Sequence, residues 1–96
     1  MSVVSIDQVH EVATGAVCKL QVERLSGVEA SGAGDDILTN NGAAGFDLAA
    51  AAKTIQNGTL TNTALSVGDR LGLVSTGDEG TLQGLHLTIK LKYDGV

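Results

Sequence analysis

The side chains able to do chemistry in this 96-residue chain are few and scattered. His10 and His86 stand far apart, and Cys18 is the only thiol. A Cys–His nucleophile pair needs a partly exposed thiol whose proton a neighbour removes. Cys18 instead falls in the run AVCKLQVERL on the side shared with Ala16, Leu20 and Val22, where a free cysteine packs as a small hydrophobe. Carboxylates come in adjacent pairs: Asp35-Asp36 near Asn40-Asn41, and Asp78-Glu79 near Asp69. Such oxygen-rich clusters are the raw material of a Ca²⁺ site, but their spacing matches no EF-hand loop. Two neighbouring residues of an extended chain also point in opposite directions, so solvated loop charge is the expected reading. Glycoside hydrolysis would need two carboxylates facing across a cleft, and so small a sandwich offers no cleft walls. No G-x-S-x-G, H-E-x-x-H, C-x-x-C or P-loop pattern occurs, and the SGAG segment is followed by neither a lysine nor a helix. The expectation is a protein that is not an enzyme and holds no metal or cofactor.

The elements that would position these residues read as strands. From Leu85 the chain alternates strictly: Leu85, Leu87, Ile89, Leu91 and Tyr93 fall on one side, and Gly84, His86, Thr88, Lys90 and Lys92 on the other. Successive strand side chains point to opposite faces, so the pattern specifies a half-buried strand and would smear around a helix. The run from Ala16 to Leu25 alternates likewise, dry on the Cys18 side and wet on the side of Lys19, Gln21 and Glu23. Between them, SGVEASGAGDD (26–36) is a glycine-rich loop, Ile37-Leu38 returns to the core, and Asn40-Asn41-Gly42 marks a turn because Asn and Gly tolerate positive φ. Ala49 to Ala52 supports a short helical turn or an irregular bend at a sandwich corner. Thr54 to Thr61 reads as a poorly periodic strand, Gly68-Asp69-Arg70 as a polar turn, and Thr76 to Gly80 as a loop. The sum is an all-β fold: a small antiparallel β-sandwich, jelly-roll-like, of about seven or eight short strands with at most one short helical turn. Residues 1–10 read as an extended amino-terminal arm or edge strand, and 11–96 as the single sandwich domain.

Composition narrows the function. Eleven acidic against six basic residues give a net charge of −5, which argues against nucleic acid or an anionic membrane as partner. No apolar run approaches the length of a membrane span, and MSVVSIDQVH has neither the basic start nor the unbroken apolar segment of a secretory leader. The expectation is a soluble chain made in a cytoplasm, in which Asn57-Gly58-Thr59 is a turn and not a glycan acceptor. A domain of this size buries roughly 60–68% of its unfolded surface, a thin margin that disulfides, metals or partner subunits usually supplement. One cysteine forbids an internal disulfide, and one Phe, one Tyr and no Trp leave the core without large aromatic plugs. Self-association or docking on a larger body is the remaining source of burial. Val3, Val4 and Ile6 are candidates for an arm laid across a neighbour, and Glu23, Arg24, Asp69 and Arg70 for ion pairs between subunits.

The segment TLTNTALSVGDRLGLVSTGDEGTLQGLHLTIKLK, from Thr59 to Lys92, carries a Thr/Leu strand, a leucine before Gly68-Asp69-Arg70-Leu71, a Gly/Asp loop and a long alternating strand ending in lysines. With the upstream VCKLQVERLSG strand, its Gly/Ala loop and Asp36-Ile37-Leu38, this resembles the small capsid decoration, or cement, proteins of tailed bacteriophages. The likeness covers about two-thirds of the chain. It implies a jelly-roll or related sandwich bound to the outer capsid surface as a homotrimer, with the major capsid protein as partner and the virion as location. Two other roles fit a small β-domain: a different virion part (tail, connector or fibre base), or a carbohydrate-binding module. The latter would need exposed aromatic platforms, and Tyr93 shares the core side of its strand while Phe46 is the only other candidate.

Overall fold

The computed structural model describes residues 1–93; the last three residues of the expected domain, 94–96, lie outside the described residues. Seven strands form in chain order: β1 (Ser2–Val9), β2 (Cys18–Leu25), β3 (Asp35–Asp36), β4 (Phe46–Asp47), β5 (Gln56–Asn57), β6 (Arg70–Gly77) and β7 (His86–Lys92). They make two antiparallel sheets, one in the order β5-β1-β7, the other with β2 flanked by β6 along its whole length and by β3 and then β4 on its opposite edge. The all-β, two-sheet fold is as the alternation requires.

A single cluster fills the space between the sheets. β1 contributes Val3 and Ile6, β2 contributes Cys18, Leu20 and Val22, and Ile37, Leu38, Phe46 and Leu48 complete it. The amino-terminal segment is therefore neither an arm nor an edge: β1 is paired to β7 on one side and to β5 on the other. A register shift between Val3 and Ser5 explains why its sequence shows no clean period. The extra residue puts Val3 and Ile6 on one face and turns Val4 outward.

Among the described residues the two sheets are hydrogen-bonded along one side only. Residues 56–64 run beside β1, through the Asp7–Asn57 pair, the Gly58 N–H to Ile6 carbonyl bond and the Val3 N–H to Thr63 carbonyl bond. The same segment pairs with residues 37–39 through Thr39 to Thr59 and Thr61 to Ile37 bonds, and Ile37 in turn donates to the Val22 carbonyl of β2. Hydrogen bonds thus run unbroken from β7 through β1 round to β2 and β6. Among the described residues no backbone pairing joins β6 to β7. The fold is a sandwich with one seam left open. Leu71 of β6 and Leu87 and Ile89 of β7 face the core there but stay only half-buried.

Three local expectations change, and two are met. The second face of β2 is not wet: Gln21, Glu23 and Leu25 are buried, because the glycine-rich loop folds back over Glu23 and residues 37–43 over Gln21. β6 continues to Gly77, so the loop expected from Thr76 begins two residues later, and the polar turn before it closes ahead of Arg70. Of the Thr54–Thr61 strand only Gln56–Asn57 is regular; the remainder serves as the strap described above. Ala49 to Ala52 form the irregular bend, and the tight turn falls at Asn40–Ala43, where Asn41 (φ 54°) and Gly42 (φ 68°) are left-handed as their residue types allow.

Candidate functional site

β2 carries a buried side-chain amide, that of Gln21, with four hydrogen bonds. The chain leaves the β2 edge between β3 and β4, and there the Val22 carbonyl still accepts from Ile37 but the Val22 N–H has no backbone partner among the described residues. The Gln21 side-chain amide fills the gap. Its Oε1 accepts from the N–H groups of Leu38 and Val22, each at 2.9 Å, and its Nε2 donates to the carbonyls of Leu38 and Ala43, each at 2.9 Å. Both donors and both lone pairs of the amide are used, so a buried polar side chain stands in for a missing piece of backbone. This arrangement is architectural, and the alternation that placed Gln21 outward gave no sign of it.

The charged residues expected between subunits all find partners within the chain. Glu23, only 3% exposed, accepts from the backbone of Gly32 (2.8 Å) and Gly34 (3.1 Å) and so pins the 26–34 loop over β2. Arg24 pairs with Asp35 at 2.8 Å and donates to the carbonyls of Asn62 and Ala64, tying β3 to the strap. Asp69 accepts from Ser66 N–H within its own turn, and Arg70 donates through Nη2 to the Gly27 and Glu29 carbonyls. Of the amino-terminal trio, Val3 and Ile6 belong to the domain's own core and have no surface to lay on a neighbour. Val4, 54% exposed, is the one that does.

Cys18 is buried, and its thiol lies above its ordinary pKa, first because burial disfavours the thiolate and then because Glu79 and Asp78 stand nearby. A thiol held neutral is a poor nucleophile. Native protein is expected to react with a thiol reagent at least about a hundredfold more slowly than unfolded protein, as a timed absorbance assay would read. The raised native pKa also sets a sign. Below the unfolded thiol pKa of about 8.5 both states are protonated, and above it the unfolded state sheds its proton first, so this group's contribution to stability falls as pH rises. The loss of stability between pH 8 and 10 is therefore expected to be shallower in Cys18→Ala than in the parent; equal slopes would contradict the assignment.

His10 and Gln8 form a buried polar pair, His10 Nδ1 lying 3.2 Å from Gln8 Oε1, while the Nε2 atoms of both have no partner among the described residues. Their positions continue the inward parity of Ile6, the one signal in the sequence that would have placed them. Of the acidic clusters, Asp35 pairs with Arg24, while Asp78 accepts from Gly80 N–H and Glu79 from Ser75 Oγ. Among the described residues no group of three His, Cys, Asp or Glu converges to hold a metal, and no helix is long and apolar enough to cross a membrane.

A shallow open concavity of about 320 Å³ is lined by Met1, Leu65, Ser66, Val67, Asp69 and Tyr93. Tyr93 stands 73% exposed at its rim, not turned into the core as its strand parity suggested, because it lies past the end of β7. Fold and geometry together define a small antiparallel two-sheet β-domain whose polar groups serve its own architecture. Comparison with family models, with curated proteins and with solved structures finds no match to this chain.

Proposed function

We propose that this is a non-enzymatic structural protein that binds the outer surface of a phage capsid and stabilises it by bridging neighbouring capsomers. The observation that carries this reading is the seam. Core-facing leucines and isoleucine of β6 and β7 are left half-covered, while Val4, Leu73, Leu91 and other large apolar side chains stand exposed on a domain with little apolar area to spare. Apolar surface that a small fold does not bury for itself marks a contact surface. The resemblance of the Thr59–Lys92 segment supplies the identity of the partner, the major capsid protein, and with it the virion as location. A contact of about 1,000 Å² or more is what such a bridge must bury to hold.

The test mixes the purified protein with expanded and with unexpanded capsids encoded by the same genome. The expected outcome is saturable binding to expanded capsids, with a raised temperature of capsid disruption. Absence of binding to either form would overturn the reading.

One observation favours a second role, that of a carbohydrate-binding module. Exposed Tyr93 at the rim of a shallow concavity is the aromatic platform such a module needs. Binding on a glycan array that Tyr93→Ala abolishes, in a protein that ignores capsids, would establish it.

A further inference from the structure

Among the described residues both strands that flank the open seam have an unpaired edge, and the two edges differ. β7 is defended: its outward residues include His86, Lys90 and Lys92, and lysine on an edge strand is a common means of blocking strand addition. β6 is not. From Leu71 to Gly77 it carries no charge, no proline and no register break, and it pairs with β2 at every position from Arg70 to Gly77. Its other edge has no partner among the described residues. Leu73, directly opposite the buried Val22, is nonetheless 53% exposed because the seam lies beside it. An eight-residue strand that is uncharged from Leu71 to Gly77 and has one unsatisfied edge is a template for another strand.

We propose that two copies of this chain associate by antiparallel pairing of their β6 strands across a two-fold axis centred on Val74. The stereochemistry of strand pairing restricts the register. A two-fold axis normal to the sheet leaves each side chain on its own face, so one residue must sit opposite itself. Centring on Leu73 would set Arg70 against Thr76, and centring on Ser75 would set Glu79 against Leu71. Only Val74 at the axis sets Arg70 of each copy against Asp78 of the other. These two groups retain the capacity to pair: Arg70 uses Nη2 on the 27–29 loop, leaving Nη1 and Nε, and Asp78 uses Oδ1 on Gly80, leaving Oδ2. Asp78 N–H still donates to the Val17 carbonyl, so the strand line extends far enough to reach. In this register Leu73 faces Ser75 of the second copy and lies diagonal to its Leu73, within reach of leucine side chains, which covers the exposed flank. The pairing adds about eight main-chain hydrogen bonds.

Sedimentation velocity on the isolated full chain tests this without reference to any capsid. The expected result is a reversible equilibrium reaching twice the chain mass, and reduction to the single-chain mass by Leu73→Lys with the far-ultraviolet circular dichroism unchanged. Asp78→Arg, which disturbs only a surface turn, is expected to weaken the dimer by about tenfold or more, and Arg70→Glu with Asp78→Arg to restore it. A single-chain mass at all concentrations, a trimer, or a dimer indifferent to both Leu73→Lys and Asp78→Arg would each overturn the proposal.

Discussion

Gln21→Leu is expected to lower the midpoint of thermal unfolding by about 15–30 °C, the largest effect of any substitution that leaves side-chain volume nearly unchanged. Leucine fills the space but returns no hydrogen bonds. The N–H groups of Val22 and Leu38 and the carbonyls of Leu38 and Ala43 all lose their side-chain partner at once. A buried polar group left unpaired costs about 1–3 kcal/mol, and partial relaxation at the exposed Ala43 end leaves a net loss of about 3–5 kcal/mol. A domain this small has a total stability on the order of 5 kcal/mol. Gln21→Glu separates hydrogen bonding from shape: it keeps the acceptors, removes both donors, and sets a carboxylate against two carbonyl oxygens. It is expected to be at least as damaging. Melting followed by circular dichroism decides the matter, and a shift below about 5 °C for either variant would show that the amide is dispensable.

Gly45→Ala is the second large effect. Gly45 has φ of 107°, and a β-carbon there would run into the Leu20 carbonyl and the Gln21 nitrogen of β2. The overlap is with backbone, so neither side can yield without opening the Leu20–Phe46 pair that anchors β4. The expected cost is about 3 kcal/mol or more, from left-handed strain and steric overlap together. Gly42, three residues earlier, provides the control. It is also left-handed, at 68°, but nothing lies within 4 Å of where its β-carbon would stand. Gly42→Ala is expected to fold and to lose only about 1 kcal/mol. Equal losses in chemical denaturation of the two variants would mean that backbone proximity at Gly45 contributes nothing.

What the sequence disclosed, and what it hid, divides along a physical line. Alternation over eight residues is local information, and it located β2, β7 and the inward faces of Cys18, Leu20, Val22, Leu87 and Ile89. The left-handed turn at Asn41-Gly42 was legible because those residue types are the ones that adopt positive φ. Burial of a face, by contrast, depends on what distant chain covers it. Gln21 and Glu23 look solvent-facing by period, and become interior only because residues 26–34 and 37–43 pack back over them. Val3 and Ile6 failed to show a period because a bulge at Val4 interrupts it. Tyr93 has the right parity but lies beyond the reach of the opposing sheet. Arg24, Asp69 and Arg70 were legible as charged; that Arg24 and Arg70 bond carbonyls and a carboxylate of this same chain, and that Asp69 accepts from the Ser66 N–H, was not readable from spacing. The proposed role rests on resemblance and on the uncovered seam, because the folding geometry spends its polar groups on holding loops in place.

The one-sided joining of the sheets has a mechanical consequence. The strap of residues 56–64 and the Arg24 contacts act as the spine of a book, and β6 and β7 as the fore-edges of its two covers. Small-scale breathing opens first at the side with fewest bonds to break, so the covers are expected to part before the spine does. Such a motion bares Leu71, Leu87 and Ile89 without unfolding either leaf, and whatever closes over that gap stiffens the whole molecule.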